Sequence, residues 1–320
     1  MNFIYNKIFL KHKTSNHPEC PARLSYFDKN TGETKLENGE KYLNLIYNKD
    51  YIGLIKKSSE KELHLDADTY TNKYSYEAAC FSVASAIKAS EQNSFSLGRP
   101  PGHHATKSKA MGFCLFNNIA IATKNLISKG KKVFIIDFDG HHGNGTQEIF
   151  YNSGNVLYLS THQFSAFPGT GWIDEIGENK GKGFNINIPL PPETGDDLFL
   201  QSLNTFIPII NKQFEPDIVG VSAGFDGHYS DSLLQLNLTT NAYYEIGKLL
   251  SNNFNNIFAC LEGGYNLKFI HRNILDFVNG VSKKEQQFKE EFTKSDNDVK
   301  NDFKLRMSIL KENLKDYWTL

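Results

Sequence analysis

Four short apolar segments, each followed at once by polar residues, place the strongest constraint on how this 320-residue chain folds. The segments are continuously apolar rather than alternating, which is typical of strands buried on both faces of a parallel sheet. Between them lie helix-length segments that are Ala-rich or carry apolar residues three to four positions apart. This alternation predicts an α/β fold in which helices cover a parallel sheet. The predicted strands span 132–137, 155–160, 217–222 and 256–261, and the predicted helices span 76–90, 117–128, 196–213 and 240–252.

The composition predicts one folded domain without a strongly charged surface. Hydrophobic residues make up 39% of the chain and charged residues 22%, which is ordinary for a globular protein. The formal net charge is −1, so no overall field attracts the chain to nucleic acid or to an anionic membrane. Because no linker or internal repeat divides the sequence, we expect a single domain over residues 1–320.

The chain after about residue 283 is charged and has a helical pattern. We expect this segment to pack on the domain core as an amphipathic helix rather than to bind a partner. Its predicted apolar stripe consists of Ile309, Leu310, Leu314 and Trp318.

The cysteines and the absence of long apolar runs bear on location. The cysteines are spread singly, with no CxxC pair, which indicates reduced thiols in a reducing compartment. No stretch approaches the ~18 apolar residues of a membrane span, and the apolar run near the start is too brief for a signal peptide. We therefore expect a cytoplasmic protein with neither membrane nor nucleic-acid partners.

Each predicted strand is followed by an unusual polar sequence: DFDGHHGNG, STHQFSAFPGTG, AGFDGH and EGGYN in chain order. Ligands of open parallel sheets bind in the crevice beyond the carboxyl ends of the strands. We therefore expect these four sequences to converge on one site.

The first of these sequences contains half of a potential metal site. Asp137, Asp139 and His141 are two residues apart, so in an extended backbone their side chains would line one side. Zinc accepts nitrogen and carboxylate oxygen, and catalytic zinc sites hold three protein ligands and leave one position open. Asp226, beyond a separate strand, is the best candidate for a further ligand, although a Gly-flanked aspartate often belongs to a turn or a helix cap.

The second unusual cluster is the pair His103 and His104, which follows Pro-Pro-Gly in the sequence RPPGHHA. Histidine can take and return a proton near neutral pH, which suits acid–base catalysis. A metal-binding pair or a fortuitous surface pair are the alternatives. Asp137 and Asn144 favour the catalytic interpretation, because they could fix the tautomer of each ring.

Tyr265 follows two glycines at the end of the last predicted strand. A phenol on such a turn could donate a hydrogen bond to an oxyanion. A packing role is the alternative, and the position at a strand end favours the catalytic one.

With these residues assembled, the chain resembles the zinc-dependent histone deacetylase superfamily, which includes acetylpolyamine amidohydrolases and proteins described as acetoin-utilisation proteins. The resemblance implies an arginase-like, three-layer fold with a central parallel sheet, and hydrolysis of N-acetyl groups by a single zinc ion. Asn144, together with RPPGHHA and GFD, resembles the class II branch. The matching stretches are HPECPAR (17–23), RPPGHHA (99–105), GFCLFNN (112–118), DFDGHHGNGTQ (137–147), FPGTG (167–171), NIPLPP (187–192), VSAGFDGH (221–228) and EGGYN (262–266).

The resemblance also implies individual roles within the catalytic centre. It implies a potassium ion near backbone oxygens of Asp137, Asp139 and His141, with Ser160 nearby. The implied roles are metal ligand for Asp139, His141 and Asp226, proton-transfer pair for His103 and His104, partners of that pair for Asp137 and Asn144, and oxyanion donor for Tyr265.

A narrow substrate channel is implied as well. Phe113 and Phe167 match the aromatic walls that hold an acetyl-lysine chain, and Gly102 is expected beside them, where a larger side chain would narrow the passage. Leu233 stands where the polyamine-selective member of the family carries a gatekeeper glutamate. We therefore predict a zinc-dependent deacetylase that acts on acetyl-lysine of proteins or peptides and releases acetate and a free amine. The alternatives are an acetylpolyamine or other small-amide hydrolase and a non-catalytic module that binds acyl-lysine.

Overall fold

The computed structural model describes residues 1–14 and 16–320, and a seven-stranded sheet lies at its centre. Every neighbouring pair of strands is parallel, and the strands lie in the order β1-β2-β7-β6-β3-β4-β5. The strands are β1 (Phe3–Ile4), β2 (Phe95–Ser96), β3 (Val133–Asp137), β4 (Val156–Gln163), β5 (Asn185–Leu190), β6 (Ile218–Ala223) and β7 (Ile257–Leu261).

Nine α-helices accompany the sheet within the described residues. Short 3-10 helices occupy Lys7–Lys11, Pro21–Leu24, Glu40–Leu45 and Asn179–Gly181. The α-helices are α1 (Ser25–Asn30), α2 (Lys49–Glu60), α3 (Ser75–Gln92), α4 (Asn118–Ile127), α5 (Asn144–Phe150), α6 (Asp196–Phe214), α7 (Thr240–Asn253), α8 (Ile270–Val281) and α9 (Asn297–Leu314).

Side chains of β3 enter two separate apolar clusters, one on each face of the sheet. Phe134 and Ile136 join a cluster that includes apolar residues of α6, α7, α8 and α9. Val133 and Ile135 join another cluster, with residues of α2, α3 and α4. Because successive side chains of a strand point to opposite faces, helices must cover both faces. The resulting three layers are those that the sequence predicts.

The four strands predicted from continuous apolar runs are confirmed as β3, β4, β6 and β7. They form the middle of the sheet, with β3 between β4 and β6. The four predicted helices are confirmed as α3, α4, α6 and α7, with ends that differ by at most two residues. β4 extends to Gln163, three residues beyond its predicted end, because it pairs with β5 up to Leu190.

The C-terminal segment differs from its predicted form at two points. Its helix, α9, begins only at Asn297, so the segment that precedes it is not helical. Leu310, Leu314 and Trp318 are buried, and the Trp318 indole donates a hydrogen bond to the Gly183 carbonyl. Ile309 is 44% exposed, so its predicted place in the apolar stripe is wrong. Consecutive helical residues lie about 100° apart around the axis, and Leu310 occupies the inward position instead.

The length and polarity of the helices can be compared with those of a membrane-spanning helix. Within residues 1–14 and 16–320, the helices are too short or too polar to span a bilayer.

The adjacent residues Leu310 and Ile309 provide a matched test of how α9 packs. Leu310→Ala should lower the free energy of unfolding by about 2–5 kcal/mol, because it leaves a cavity under the helix. Ile309→Ala should lower it by clearly less, since Ile309 is 44% exposed and loses less buried apolar surface. Urea denaturation of both variants measures the difference. Equal losses would contradict the orientation of α9.

Candidate active site

The loops that follow β3 and β6 bring three predicted metal ligands together. Asp139, His141 and Asp226 each offer one ligand atom, and these atoms lie within 4.8 Å of one another. His141 Nδ1 is 2.9 Å from Asp226 Oδ2 and 3.3 Å from Asp139 Oδ1. Both carboxylates are buried, and the His141 side chain is 11% exposed. The sequence therefore identified a cluster that the fold assembles from two separate loops.

Backbone amides and glycines hold the two carboxylates in place. The Gly140 amide donates to Asp226 Oδ1 at 2.8 Å, and the Gly263 amide donates to Asp139 Oδ2 at 2.7 Å. A Cβ atom on Gly263 would lie 2.3 Å from Asp226 Oδ2, which is too close for any side chain. The loop after β7 therefore needs glycine there in order to approach the cluster.

The buried carboxylates of the cluster favour binding of a cation. Burial, together with the charge of Asp139, raises the pKa of Asp226 to about 6. Burial opposes a charge on His141, but the carboxylates of Asp226 and Asp139 outweigh it and raise its pKa to about 10. A metal ion competes with such a proton, since it binds neutral imidazole and ionised carboxylate. One nitrogen and two carboxylate donors suit Zn²⁺, so these residues fit a catalytic zinc ion.

Asp137 does not belong to the cluster that Asp139 and His141 form with Asp226, so the alternation of three side chains does not describe the potential metal site. β3 ends at Asp137, and the backbone then leaves the extended conformation that the alternation argument assumed. Asp137 Oδ2 lies 3.1 Å from His103 Nδ1 and accepts a hydrogen bond from the Tyr158 hydroxyl at 3.0 Å. Asp137 is therefore placed as the partner of His103, and Asp139 and His141 join Asp226.

The tandem histidines have different partners, and their pKa values are shifted in opposite directions. His104 Nδ1 lies 2.9 Å from Asn144 Oδ1, which can only accept, so Nδ1 carries the hydrogen and Nε2 keeps its lone pair. Burial and the nearby His103 and His141 lower the pKa of His104 well below its usual value. Burial opposes a charge on His103, but Asp137 and Asp139 raise its pKa to about 10. The two carboxylates thus favour the charged form of His103, whereas burial and the neighbouring histidines favour the neutral form of His104.

The start of α4 holds the loop that carries the histidines. Asn117 caps α4 by accepting from the Ala120 amide, and its Nδ2 donates to the Ala105 carbonyl. Gly102 faces α4, because a Cβ atom there would lie 2.5 Å from the Asn118 amide nitrogen. The expectation that Gly102 borders the substrate channel is therefore wrong. Gly112 takes that place, with a φ of +55° and no room for a Cβ against His104.

A cavity of about 350 Å³ leads to these groups, with predicted and unpredicted residues in its lining. The Phe167 ring meets the His104 ring edge-on at 5.0 Å, and the Phe113 ring meets the Tyr265 ring at 5.7 Å. Phe167 and Leu233 are 48% and 39% exposed, as expected at a mouth. The lining is formed by Asp66, Ala67, Asp68, His104, Gly112, Phe113, His141, Phe167, Leu233 and Tyr265.

Two residues that position Tyr265 were not identified from the sequence. Asp231 Oδ2 accepts from the Tyr265 amide at 2.7 Å, and Arg23 donates to the Gly264 carbonyl at 2.7 Å. The Arg23 guanidinium also lies 5.0 Å from the centre of the Tyr265 ring. Burial, with the charges of Asp226 and Asp139, raises the pKa of Tyr265 well above its usual value, so its hydroxyl remains a donor.

The residues of the implied potassium site lie near one another, but the ion itself stays a prediction. Ser160 of β4 is in register with Asp137 of β3. Its hydroxyl lies 2.9 Å from His162 Nδ1. Asp137 Oδ1 accepts a hydrogen bond from the Asp139 amide at 3.2 Å.

Comparisons with known proteins place the whole arrangement in one family. The family model described as the histone deacetylase domain matches residues 17–281. A probable deacetylase of Archaeoglobus fulgidus is 34% identical over 291 residues, which cover 83% of this chain and 81% of that protein. The chloroplastic histone deacetylase 14 of Arabidopsis thaliana is 34% identical over 310 residues, which cover 83% of this chain and 73% of that protein.

A solved structure supports the same assignment at the level of the fold. The crystal structure of the HDA15 HD domain has a TM-score of 0.88 and is 28% identical, covering 99% of this chain and 97% of that one. The shared architecture of a central parallel sheet between helices is the arginase-like fold. The sequence resemblance is thereby confirmed, and this chain belongs to the histone deacetylase family.

Proposed function

We propose that this protein is a zinc-dependent hydrolase that removes the acetyl group from acetyl-lysine in proteins or peptides. The observation that carries the proposal is the lining of one cavity. His104, His141 and Tyr265 line it together with the aromatic walls Phe113 and Phe167. A base, a metal ligand and a hydrogen-bond donor therefore face the same space as an apolar channel.

The metal would be held by Asp139, His141 and Asp226. A bound Zn²⁺ supplies a Lewis acid and lowers the pKa of water from 15.7 to about 7. The protein contributes carboxylates in fixed positions, because the amides of Gly140 and Gly263 donate hydrogen bonds that orient them.

His104 is the group best suited to accept a proton from the attacking water. Its imidazole is neutral, and Asn144 orients it so that the lone pair on Nε2 is free. After attack, His104 or the cationic His103 can return a proton to the leaving amine. Acetate and a lysine side chain with a free amine are the products.

Tyr265 would donate its hydroxyl hydrogen to the oxyanion that develops on the acetyl carbonyl. A preorganised donor of this kind contributes about 3–4 kcal/mol to lowering the barrier. Asp231 and Arg23 fix the peptide group that joins Gly264 to Tyr265, so the position of Tyr265 costs little to maintain during reaction. An acyl-lysine-binding module would need neither this donor nor a base, which argues against that alternative.

The apolar walls of the channel suit an aliphatic amide substrate. One further observation favours a second candidate function. Phe113 and Phe167 offer apolar walls, and Leu233 adds an apolar side chain at the mouth. Asp66 and Asp68 also line the cavity, and their carboxylates would attract a cationic substrate such as an acetylated polyamine. The second candidate is therefore acetylpolyamine hydrolysis at the same centre.

A turnover panel separates the two candidates. Acetyl-lysine peptides, acetylpolyamines and longer acyl-lysine peptides are compared with and without a chelator. We expect the acetyl-lysine peptide to have the highest kcat/KM and the chelator to abolish turnover. A higher kcat/KM for acetylpolyamines would establish the second candidate, and the absence of any amide hydrolysis would refute both.

Removing Asp226 tests the ligand set. Asp226→Ala should lose the metal while remaining folded, since it removes one of two buried like charges. Metal content is measured by elemental analysis of the purified protein. Asp217→Ala is the control, because Asp217 is exposed at the opposite end of β6 and should leave the content unchanged. Full zinc occupancy in Asp226→Ala would exclude Asp226 as a ligand.

Removing the Tyr265 hydroxyl tests the oxyanion donor. Tyr265→Phe should lower kcat by about 10²-fold or more and leave zinc content unchanged. Steady-state kinetics on the acetyl-lysine peptide give the value. Tyr244→Phe, which removes a hydroxyl that bonds the Lys284 carbonyl, should retain wild-type kcat. Near-wild-type turnover of Tyr265→Phe would remove Tyr265 from the mechanism.

Replacing Asn144, the hydrogen-bond partner of His104, should change the pH dependence of kcat/KM. Asn144→Asp places a carboxylate beside the imidazole and favours its charged form, so the pKa of His104 rises. The base is active only when neutral, and activity is lost as pH falls through this pKa. The acid limb of the kcat/KM profile should therefore move to higher pH. Asn301→Asp on the exposed face of α9 should not move it, and an unmoved limb in Asn144→Asp would exclude His104 as the base.

A further inference from the structure

We infer that Glu262 is a positioning residue whose carboxylate holds the tandem histidines in place for catalysis, an inference that rests on the proposed amide hydrolysis. Glu262 follows β7 directly and is fully buried. It lies three residues before Tyr265 in the chain. No role for this side chain follows from the metal cluster or from the acid–base pair themselves.

The carboxylate reaches across to the histidine loop. Glu262 Oε2 accepts from the Gly102 amide at 2.7 Å and from the His103 amide at 3.1 Å. These are two successive backbone amides immediately before His104. Among the described residues, no other acceptor serves either amide. One side-chain oxygen therefore satisfies both buried donors of this loop.

The backbone that carries the carboxylate is fixed at both of its own polar groups. The Glu262 amide donates to the Ala223 carbonyl at the end of β6. The Glu262 carbonyl accepts from the Arg23 guanidinium. The acceptor therefore stands on backbone whose amide and carbonyl are both hydrogen-bonded, and it connects the histidine loop to the loop that carries Tyr265.

The second carboxylate oxygen bears on whether Glu262 acts through its negative charge or as a hydrogen-bond acceptor. Oε1 is buried, and within the described part of the chain it has no hydrogen-bond partner. Burial raises the pKa of Glu262 to about 7, although His103 opposes the rise. A proton on Oε1 would leave Oε2 free to accept from both amides. The contribution of Glu262 is thus a fixed acceptor, which does not require a negative charge.

This distinction dictates three substitutions. Glu262→Gln keeps an acceptor at the same distance and removes the charge. Glu262→Met keeps the approximate length and has no oxygen acceptor. Glu262→Asp keeps the charge and withdraws the acceptor by one methylene group. Asp196→Leu is the matched control, because Asp196 is a buried carboxylate that accepts from the Thr239 and Thr293 amides, and neither threonine lines the cavity.

Displacement of a catalytic group by about 1 Å can cost about 10²-fold in rate. We therefore expect Glu262→Met and Glu262→Asp to lower kcat by about 10-fold or more, with KM within about threefold of wild type and zinc content unchanged. Glu262→Gln should stay within about fivefold of the wild-type kcat. Asp196→Leu should lower Tm and retain kcat.

Hydrogen–deuterium exchange of a peptide that covers residues 99–105 provides a readout besides turnover. Exchange of the Gly102 and His103 amides should accelerate in Glu262→Met and Glu262→Asp and not in Glu262→Gln. If Glu262→Met does not fold, Glu262→Asp decides the matter.

The outcomes separate this inference from the proposed function. A wild-type protein that hydrolyses no amide in the panel overturns both. An active wild type whose Glu262→Met or Glu262→Asp variant keeps wild-type kcat overturns the positioning role alone. So does a Glu262→Gln variant as slow as Glu262→Asp, because the charge or the exact side chain would then matter rather than the acceptor.

Discussion

The crowding of two buried carboxylates around one imidazole is the constraint on which the rest of the site depends. Asp139 and Asp226 come from loops that follow different strands, and burial together with the charge of Asp139 raises the pKa of Asp226. The fold nevertheless places them close together, and Gly263 lies directly against both carboxylates. A bound cation stabilises such an arrangement, which is why these residues fit a metal better than a structural role.

The same electrostatics divide the work of the tandem histidines. His103 faces the carboxylate of Asp137, which favours its charged form, whereas His104 faces the neutral amide of Asn144, and burial favours its neutral form. The pKa values of two adjacent and chemically identical side chains are thus shifted in opposite directions by their surroundings. A neutral base beside a cationic neighbour matches the two proton transfers that amide hydrolysis requires.

The sequence was sufficient where a pattern is local. Continuous apolar runs predicted the central strands, but β1 and β2 have only two residues each and offer no periodicity to detect. Asp139, His141, Asp226 and Tyr265 were found because they follow predicted strands, which fixes where they converge. His103 and His104 were found from the unusual sequence RPPGHHA, which follows no predicted strand. Gly102 was misplaced, since the side of a loop that faces a helix depends on packing. Arg23 and Asp231 were missed because a hydrogen bond to a distant backbone group has no sequence signal.

The central claim is that one metal ion at the cluster of Asp139, His141 and Asp226 enables hydrolysis of an acylated amine. Titration of metal-free protein with zinc, while turnover of an acetyl-lysine peptide is followed, tests it most directly. We predict that activity rises linearly and reaches its plateau at one zinc ion per chain. Full turnover by the metal-free protein, or none at one equivalent of zinc, would contradict the claim.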